Sequence, residues 1–169
     1  MKTIKLLKKL IDVFFVLLLL SLFIYIVVGI LYFGFSDLLP EGAIEVQDFI
    51  VKDKAMSIFF TILAIAFGFF VKGVFHLRKT IPLLLTGDYF SETITKHFRA
   101  CGIIFIYVGL TALLVHLISQ WYLNSIIWIR IDTQIYMFLF LIIIGLFFKL
   151  FSIVFSKARD LKQENELTI

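Results

Sequence analysis

ACGIIFIYVGLTALLVHLISQWY, residues 100–122, contains no Lys, Arg, Asp or Glu. A helix that crosses a bilayer needs about 20 apolar residues to span a hydrocarbon core about 30 Å thick. This run supplies them with no charge to desolvate. Three more runs of the same kind lie around it. IDVFFVLLLLSLFIYIVVGILYFGF (11–35) carries one charge, Asp12, at its start. AMSIFFTILAIAFGFFVKGVF (55–75) carries Lys72 near its end, and QIYMFLFLIIIGLFFKLFSIVF (134–155) carries Lys149 late. None alternates apolar with polar residues, which excludes transmembrane β-strands. The runs predict an all-α membrane protein, with four transmembrane helices in one bundle and a single domain over residues 1–169.

Composition points the same way. Of 169 residues 62% are hydrophobic, with 21 Phe against 2 Pro, and the mean hydropathy is +1.06. A soluble domain is closer to half apolar, and a globule this greasy would lack a polar coat, so lipid is the expected solvent. Cys101 is the lone cysteine, which leaves no intrachain disulfide and no Cys-rich metal site. The Lys-rich start MKTIKLLKK has the look of a signal peptide. The apolar core behind it is about twice the usual length, and no A-x-A-like site follows, so it reads as a retained span.

Basic residues in short loops set orientation. Lys2, Lys5, Lys8 and Lys9 precede the first span, Arg78, Lys79, Lys96 and Arg99 lie in the 76–99 loop, and Lys157, Arg159 and Lys162 lie in the tail 156–169. The other side holds Lys52, Lys54 and Arg130. Both termini are thus expected in the cytoplasm of a multi-pass protein of the cell membrane. The first external loop, 36–54, is acidic through Asp37, Glu41, Glu45, Asp48 and Asp53. Trp121, Tyr122 and Trp128 fall where an outer aromatic belt is expected.

The polar island LLLTGDYFSETITKHFRACG (83–102) belongs to the cytoplasmic loop between spans two and three. Thr86-Gly87-Asp88 is turn chemistry. Ser91 is a helix N-cap with Glu92 at the first helical position, and the helix then runs unbroken into the third span. Lys96 and Arg99 share one face at headgroup level. Pro82 is expected to kink or end the helix that leaves span two, with IPLLL (81–85) lying along the membrane surface or folding back beneath the bundle.

Each candidate site has a plain structural reading beside it. Lys72 and Lys149 are the charges deepest in the spans, and such residues invite a functional hypothesis. Both lie within snorkelling reach of the basic surface, and Asp12, at similar depth, is expected to pair with one of them. His97 and Cys101 have i, i+4 ligand spacing and His76 is a further approach, yet a zinc site wants four ligands or three and a water, so no metal is assigned. His116 and Gln120 read as interhelical hydrogen-bonding residues, with a polar cavity as the alternative. Ala64 with Gly68, and Gly102 with Gly109, are small residues that let helices approach closely, within the bundle or at a dimer face.

No phosphate loop, H-E-x-x-H, S-x-x-K or G-x-S-x-G motif occurs, and no paired carboxylates lie in a span. The expectation is a protein that is not an enzyme, with no cofactor and no direct nucleic-acid binding. A transporter lacks a broken helix or inverted repeat to support it.

The tail FSKARDLKQENELTI (155–169) continues span four as a helix with Phe155, Ala158 and Leu161 along one edge. It ends on Leu167 and Ile169, which are expected to dock on the chain's own loop or on a partner. The motifs GDYFSETITKHFRACG, with Gly87, Phe90, Arg99 and Gly102, and FSKARDLKQENELTI resemble a domain-of-unknown-function family of small bacterial membrane proteins, the YoaS-like family. The resemblance implies four spans and, for many members, a gene beside a short helix-turn-helix regulator. Tyr89, where the family more often has Pro, and Pro82 depart from its pattern. The leading expectation is a soluble partner, such as that regulator, bound through Arg78, Lys79, Phe90, Lys96, Arg99, Leu167 and Ile169. The alternative is an envelope-stress or immunity-type protein binding a peptide or lipid through the acidic external loop.

Overall fold

The computed structural model describes residues 2–34, 54–87, 91–124 and 131–167. They form four helices: α1 (Lys2–Gly34), α2 (Lys54–Leu85), α3 (Glu92–Asn124) and α4 (Thr133–Leu167). In lipid every backbone N–H and C=O must be satisfied within the element, and a long helix does this alone. All four are long and apolar enough to cross a membrane, and they make this a multi-pass membrane protein.

The helices pack antiparallel and in chain order. Phe15 meets Phe75 at 5.9 Å between ring centroids, and Tyr25 stacks on Phe60 at 4.6 Å, so α1 and α2 run in opposite senses. Phe98 stacks on Phe155 at 5.7 Å, while His116 near the other end of α3 meets Phe138 at 5.8 Å. The α3–α4 contact is the most extensive, α2–α3 follows, and α1 rests on α2 alone to any extent. The core brings together Phe15 and Leu18 of α1, Val71 and Val74 of α2, and Cys101 and Phe105 of α3, with Phe148 of α4 packed against it. The outward faces of α1 and α4 expose Val16, Phe23, Phe140 and Phe147. With lipid as solvent this exposure carries no hydrophobic penalty.

Glycine sets the α3–α4 spacing. A Cβ at Gly102 would lie 2.6 Å from the Gly145 carbonyl oxygen and 2.7 Å from the Lys149 backbone nitrogen, and a Cβ at Gly145 would lie 2.8 Å from the Gly102 carbonyl oxygen. The two backbones touch where neither residue has a side chain, as the small residues of span three foreshadowed. Gly68 has nothing within 4 Å of such a Cβ, so it plays no such part within the chain.

At the α2–α3 junction one expectation needs correcting. Pro82 does not end α2: the helix carries IPLLL on to Leu85. Pro82 stands in the last turn, where its missing N–H costs a single ladder bond, and its carbonyl still accepts from the Thr86 N–H at 3.1 Å. Ile81 and Thr80 beside it are buried, and that packing holds the turn. Gly87 then takes the left-handed conformation with φ 83°, the usual glycine termination of a helix. Ser91 caps α3 as its sequence suggests, its hydroxyl accepting from the Ile94 N–H at 3.3 Å.

The helices contain 33, 32, 33 and 35 residues, about 50 Å each at 1.5 Å per residue. A hydrocarbon core of about 30 Å leaves a surplus in each. The polar ends of that surplus, residues 2–10, 76–85, 92–99 and 156–167, all lie at one end of the antiparallel bundle. This is the basic end, and the start of α1 and the end of α4 both belong to it.

Candidate functional site

The basic end is built from three junctions between neighbouring helices. At the first, Arg78 of α2 donates from Nε to Asp12 Oδ1 of α1 at 2.6 Å, and its guanidinium lies 5.1 Å from the Phe15 ring centroid. The expected partners of Asp12 were Lys72 and Lys149; the structure replaces both with Arg78. Lys72 extends from α2 with its ammonium 6.0 Å from the Phe69 ring. Lys149 faces α3 and not α1. Lys79 lies 4.5 Å over the Phe75 ring, so Arg78 and Lys79 are engaged on the α1–α2 side of the end.

The second junction joins α2 to α3. His76 Nδ1 and His97 Nδ1 are 3.0 Å apart, so one ring supplies the N–H and the other the lone pair. Cys101, one turn below His97, is fully buried. Among the described residues no three His, Cys, Asp or Glu side chains gather to hold a metal ion.

The third junction is a polar cleft of about 500 Å³ between the first turns of α3 and the later turns of α4. Lys96 and Arg99 line it from α3, and Lys149, Lys157 and Arg159 line it from α4. Lys96 is paired with Glu92 at 2.8 Å, the i, i+4 arrangement of a helix surface. Arg159 contacts Asp160 at 3.3 Å. Lys96 and Arg99, both expected to face a partner, are thus brought together, while Arg78 and Lys79 stand on another face. Phe90 and Ile169 lie outside the described residues, and of Leu167 only the helical backbone is described.

The opposite end has its own polar cluster. His116 Nε2 lies 3.0 Å from Asp132 Oδ2, and the Gln120 amide donates to the same oxygen at 3.1 Å. Asp132 also caps α4, its Oδ1 accepting from the Gln134 and Ile135 N–H groups at 3.1 and 3.2 Å. Partial desolvation raises the Asp132 carboxyl, but the Ile135 N–H, His116 and the Gln134 N–H outweigh it and hold the group below its usual range. The interhelical role read for His116 and Gln120 is met, with a partner that sequence reasoning missed. Asp132 directly before Thr133 is a capping signal that could have revealed it. An apolar groove between α2 and α3 is lined by Ile65, Phe69, Tyr107 and Val108 among others, and His116 takes no part in it. Of the acidic loop 36–54, residues 36–53 lie outside the described residues, as does Trp128.

A family model described as a protein of unknown function (DUF2975) matches residues 51–169. The chain belongs to the DUF2975 family. The match takes in α2, α3 and α4 with both of their junctions, and it begins after α1, the helix least tied to the rest. No curated protein and no solved structure matches the chain. In this DUF2975 protein the polar cleft at the basic end brings Lys96, Arg99, Lys149, Lys157 and Arg159 together between two helices. Two helical stripes build that cleft: Thr95, Lys96 and Arg99 on α3, and Lys149, Ser152 and Ser156 on α4. The α4 stripe, at i, i+3 and i+7, is a signal that hydropathy alone passes over.

Proposed function

We propose that this DUF2975 protein is a non-enzymatic membrane platform that docks a soluble partner on the cytoplasmic side. The observation that carries the proposal is the shared surplus of helix length at the basic end. Each of the four helices outruns the hydrocarbon core, and the polar ends of all four collect at the same end of the bundle. That surplus costs ordering entropy and makes a rigid surface in water. The excess of Lys and Arg there supports a cytoplasmic placement. The basic end offers Lys96 and Arg99 on α3 and an exposed Leu161 on the last turns of α4, a mix of basic and apolar surface that suits an acidic, partly apolar protein face. The family resemblance in the sequence supports a small helix-turn-helix regulator encoded beside the protein as that partner.

The test is co-purification. The full-length protein and the neighbouring regulator are co-expressed, and the complex is isolated in mild detergent. Retention by wild type and loss with Lys96→Glu plus Arg99→Glu, or with Leu161→Glu, is the expected result. A wild-type protein that retains no regulator removes the proposal.

A further inference from the structure

The cleft between α3 and α4 holds more positive charge than its carboxylates balance. Lys96 is answered by Glu92 and Arg159 by Asp160. Arg99, Lys149 and Lys157 meet no carboxylate among the described residues. Like charges converging at the edge of a low-dielectric bundle repel one another unless an anion lies between them. A second observation points to the same place. Thr95 Oγ1, on the wall of the cleft, is buried with no hydrogen-bond partner, a state that native structures rarely leave uncompensated. Ser152 on the facing wall is also buried.

We propose that this cleft binds the phosphate group of an anionic phospholipid. Phosphate suits the wall chemistry because it presents several acceptor oxygens at once. Arg99 offers a planar fork of N–H donors, Lys149 and Lys157 offer ammonium groups, and the Thr95 hydroxyl offers a short neutral donor. A phosphodiester adds two ester oxygens to its pair of charged ones, whereas a carboxylate has only its pair.

The position of the cleft argues for a lipid source. It opens one turn beyond the Gly102–Gly145 contact, where the apolar span of α4 gives way to polar residues. Ile153 lines the cleft, and Leu150, Phe147 and Val154 stand exposed on the same helix. A headgroup seated among the cations leaves its acyl chains against an apolar helix surface. Basic pockets between transmembrane helices on the headgroup side hold anionic lipids by this arrangement. No aromatic ring lines the cleft to stack a nucleotide base. Lipid retention requires no second protein, so it stands apart from the docking of a soluble partner.

The full-length protein in mild detergent is titrated with phosphatidylglycerol, phosphatidylcholine or inorganic phosphate, and native mass spectrometry reads what it retains. One phosphatidylglycerol per chain is expected, with phosphatidylcholine held roughly tenfold more weakly because its choline cation is repelled by Arg99, Lys149 and Lys157. Arg99→Gln with Lys149→Gln, both at exposed positions, should weaken phosphatidylglycerol retention by about tenfold or more. Lys5→Gln with Lys8→Gln removes the same charge from α1 and should change nothing. Equal retention of the two lipids, or equal loss in the two double variants, overturns the proposal, because diffuse surface charge then explains the binding. Inorganic phosphate bound through Arg99 and Lys149, with no phosphatidylglycerol retained, overturns the lipid as the source.

Discussion

Gly102 and Gly68 look alike in the sequence, each a glycine in an apolar span, and the structure gives them opposite roles. At Gly102 the atoms a methyl would strike belong to the backbone of Gly145 and Lys149. Backbone cannot rotate away, so α3 and α4 would have to part along their tightest seam. Overpacking of this kind costs about 1–3 kcal/mol. At Gly68 the methyl meets nothing, and the substitution only gains the helix propensity of Ala, worth up to about 1 kcal/mol. Titration with SDS in mixed micelles should therefore show Gly102→Ala unfolding early and Gly68→Ala unfolding at or beyond the wild-type midpoint. The same loss at both positions would mean that the Gly102 contact does not set the helix spacing. Arg78 gives a second comparison. It contributes an ion pair to Asp12 and a cation–π contact to Phe15, together about 1 kcal/mol at a partly exposed site. Since α1 rests on α2 alone to any extent, Arg78→Ala should release a probe on α1 at lower SDS while leaving a probe on the α3–α4 seam unmoved. Coincident release of both probes would show that the four helices come apart as one unit.

At the scale of the element, α4 depends on its first turn. Asp132 supplies the cap for the Gln134 and Ile135 amides and also receives His116 and Gln120 from α3, so one carboxylate fixes the helix start and its registry against the neighbour. Because these bonds favour the charged form and hold the carboxyl below its ordinary value of about 3.9, the sign of the pH effect follows. The stabilisation is fully present above the ordinary value and is lost as pH falls through the lower folded-state value. Hydrogen exchange at Gln134 and Ile135, corrected for intrinsic rates, should be faster in Asp132→Ala than in wild type at neutral pH. The two proteins should converge once acid protonates the carboxyl. Equal protection at neutral pH would show that the cap is idle. The α2–α3 connection works by a different device. Pro82, Gly87 and Ser91 lie within ten residues of one another, and each has one local role. Pro82 is absorbed in a last turn, Gly87 turns the chain, and Ser91 starts α3. The roles of Gly87 and Ser91 were legible from residue type. That of Pro82 was not, because the burial of Ile81 and Thr80 decides it, and burial belongs to the tertiary contact.

For the whole molecule, hydropathy reads depth well and rotation poorly. Residue type shows that Asp12, Lys72 and Lys149 lie near the basic end, since a charge must stay within reach of water. Which of several basic residues Asp12 meets depends on how each helix is turned about its axis, and interdigitating side chains such as Phe15 and Phe75 set that turn. For the same reason Lys96 and Arg99 could be read as neighbours on one helix, while the facing stripe of Lys149, Ser152 and Ser156 becomes their partner only once the Gly102–Gly145 contact brings α3 and α4 into register. Four antiparallel spans have a consequence that labelling can check without any ligand. Cys101, the lone native cysteine, is buried with no exposed surface, so it should stay silent to a membrane-impermeant maleimide in folded protein. Cysteines introduced singly at Lys5 and Lys157, on α1 and α4, should then label from one face of sealed vesicles. One introduced at Trp121, exposed at the far end of α3, should label from the other face. Inverted vesicles should exchange the two results. Labelling of Lys5→Cys and Lys157→Cys from opposite faces would mean an odd number of crossings, and the convergence of four basic helix ends on one surface would no longer hold.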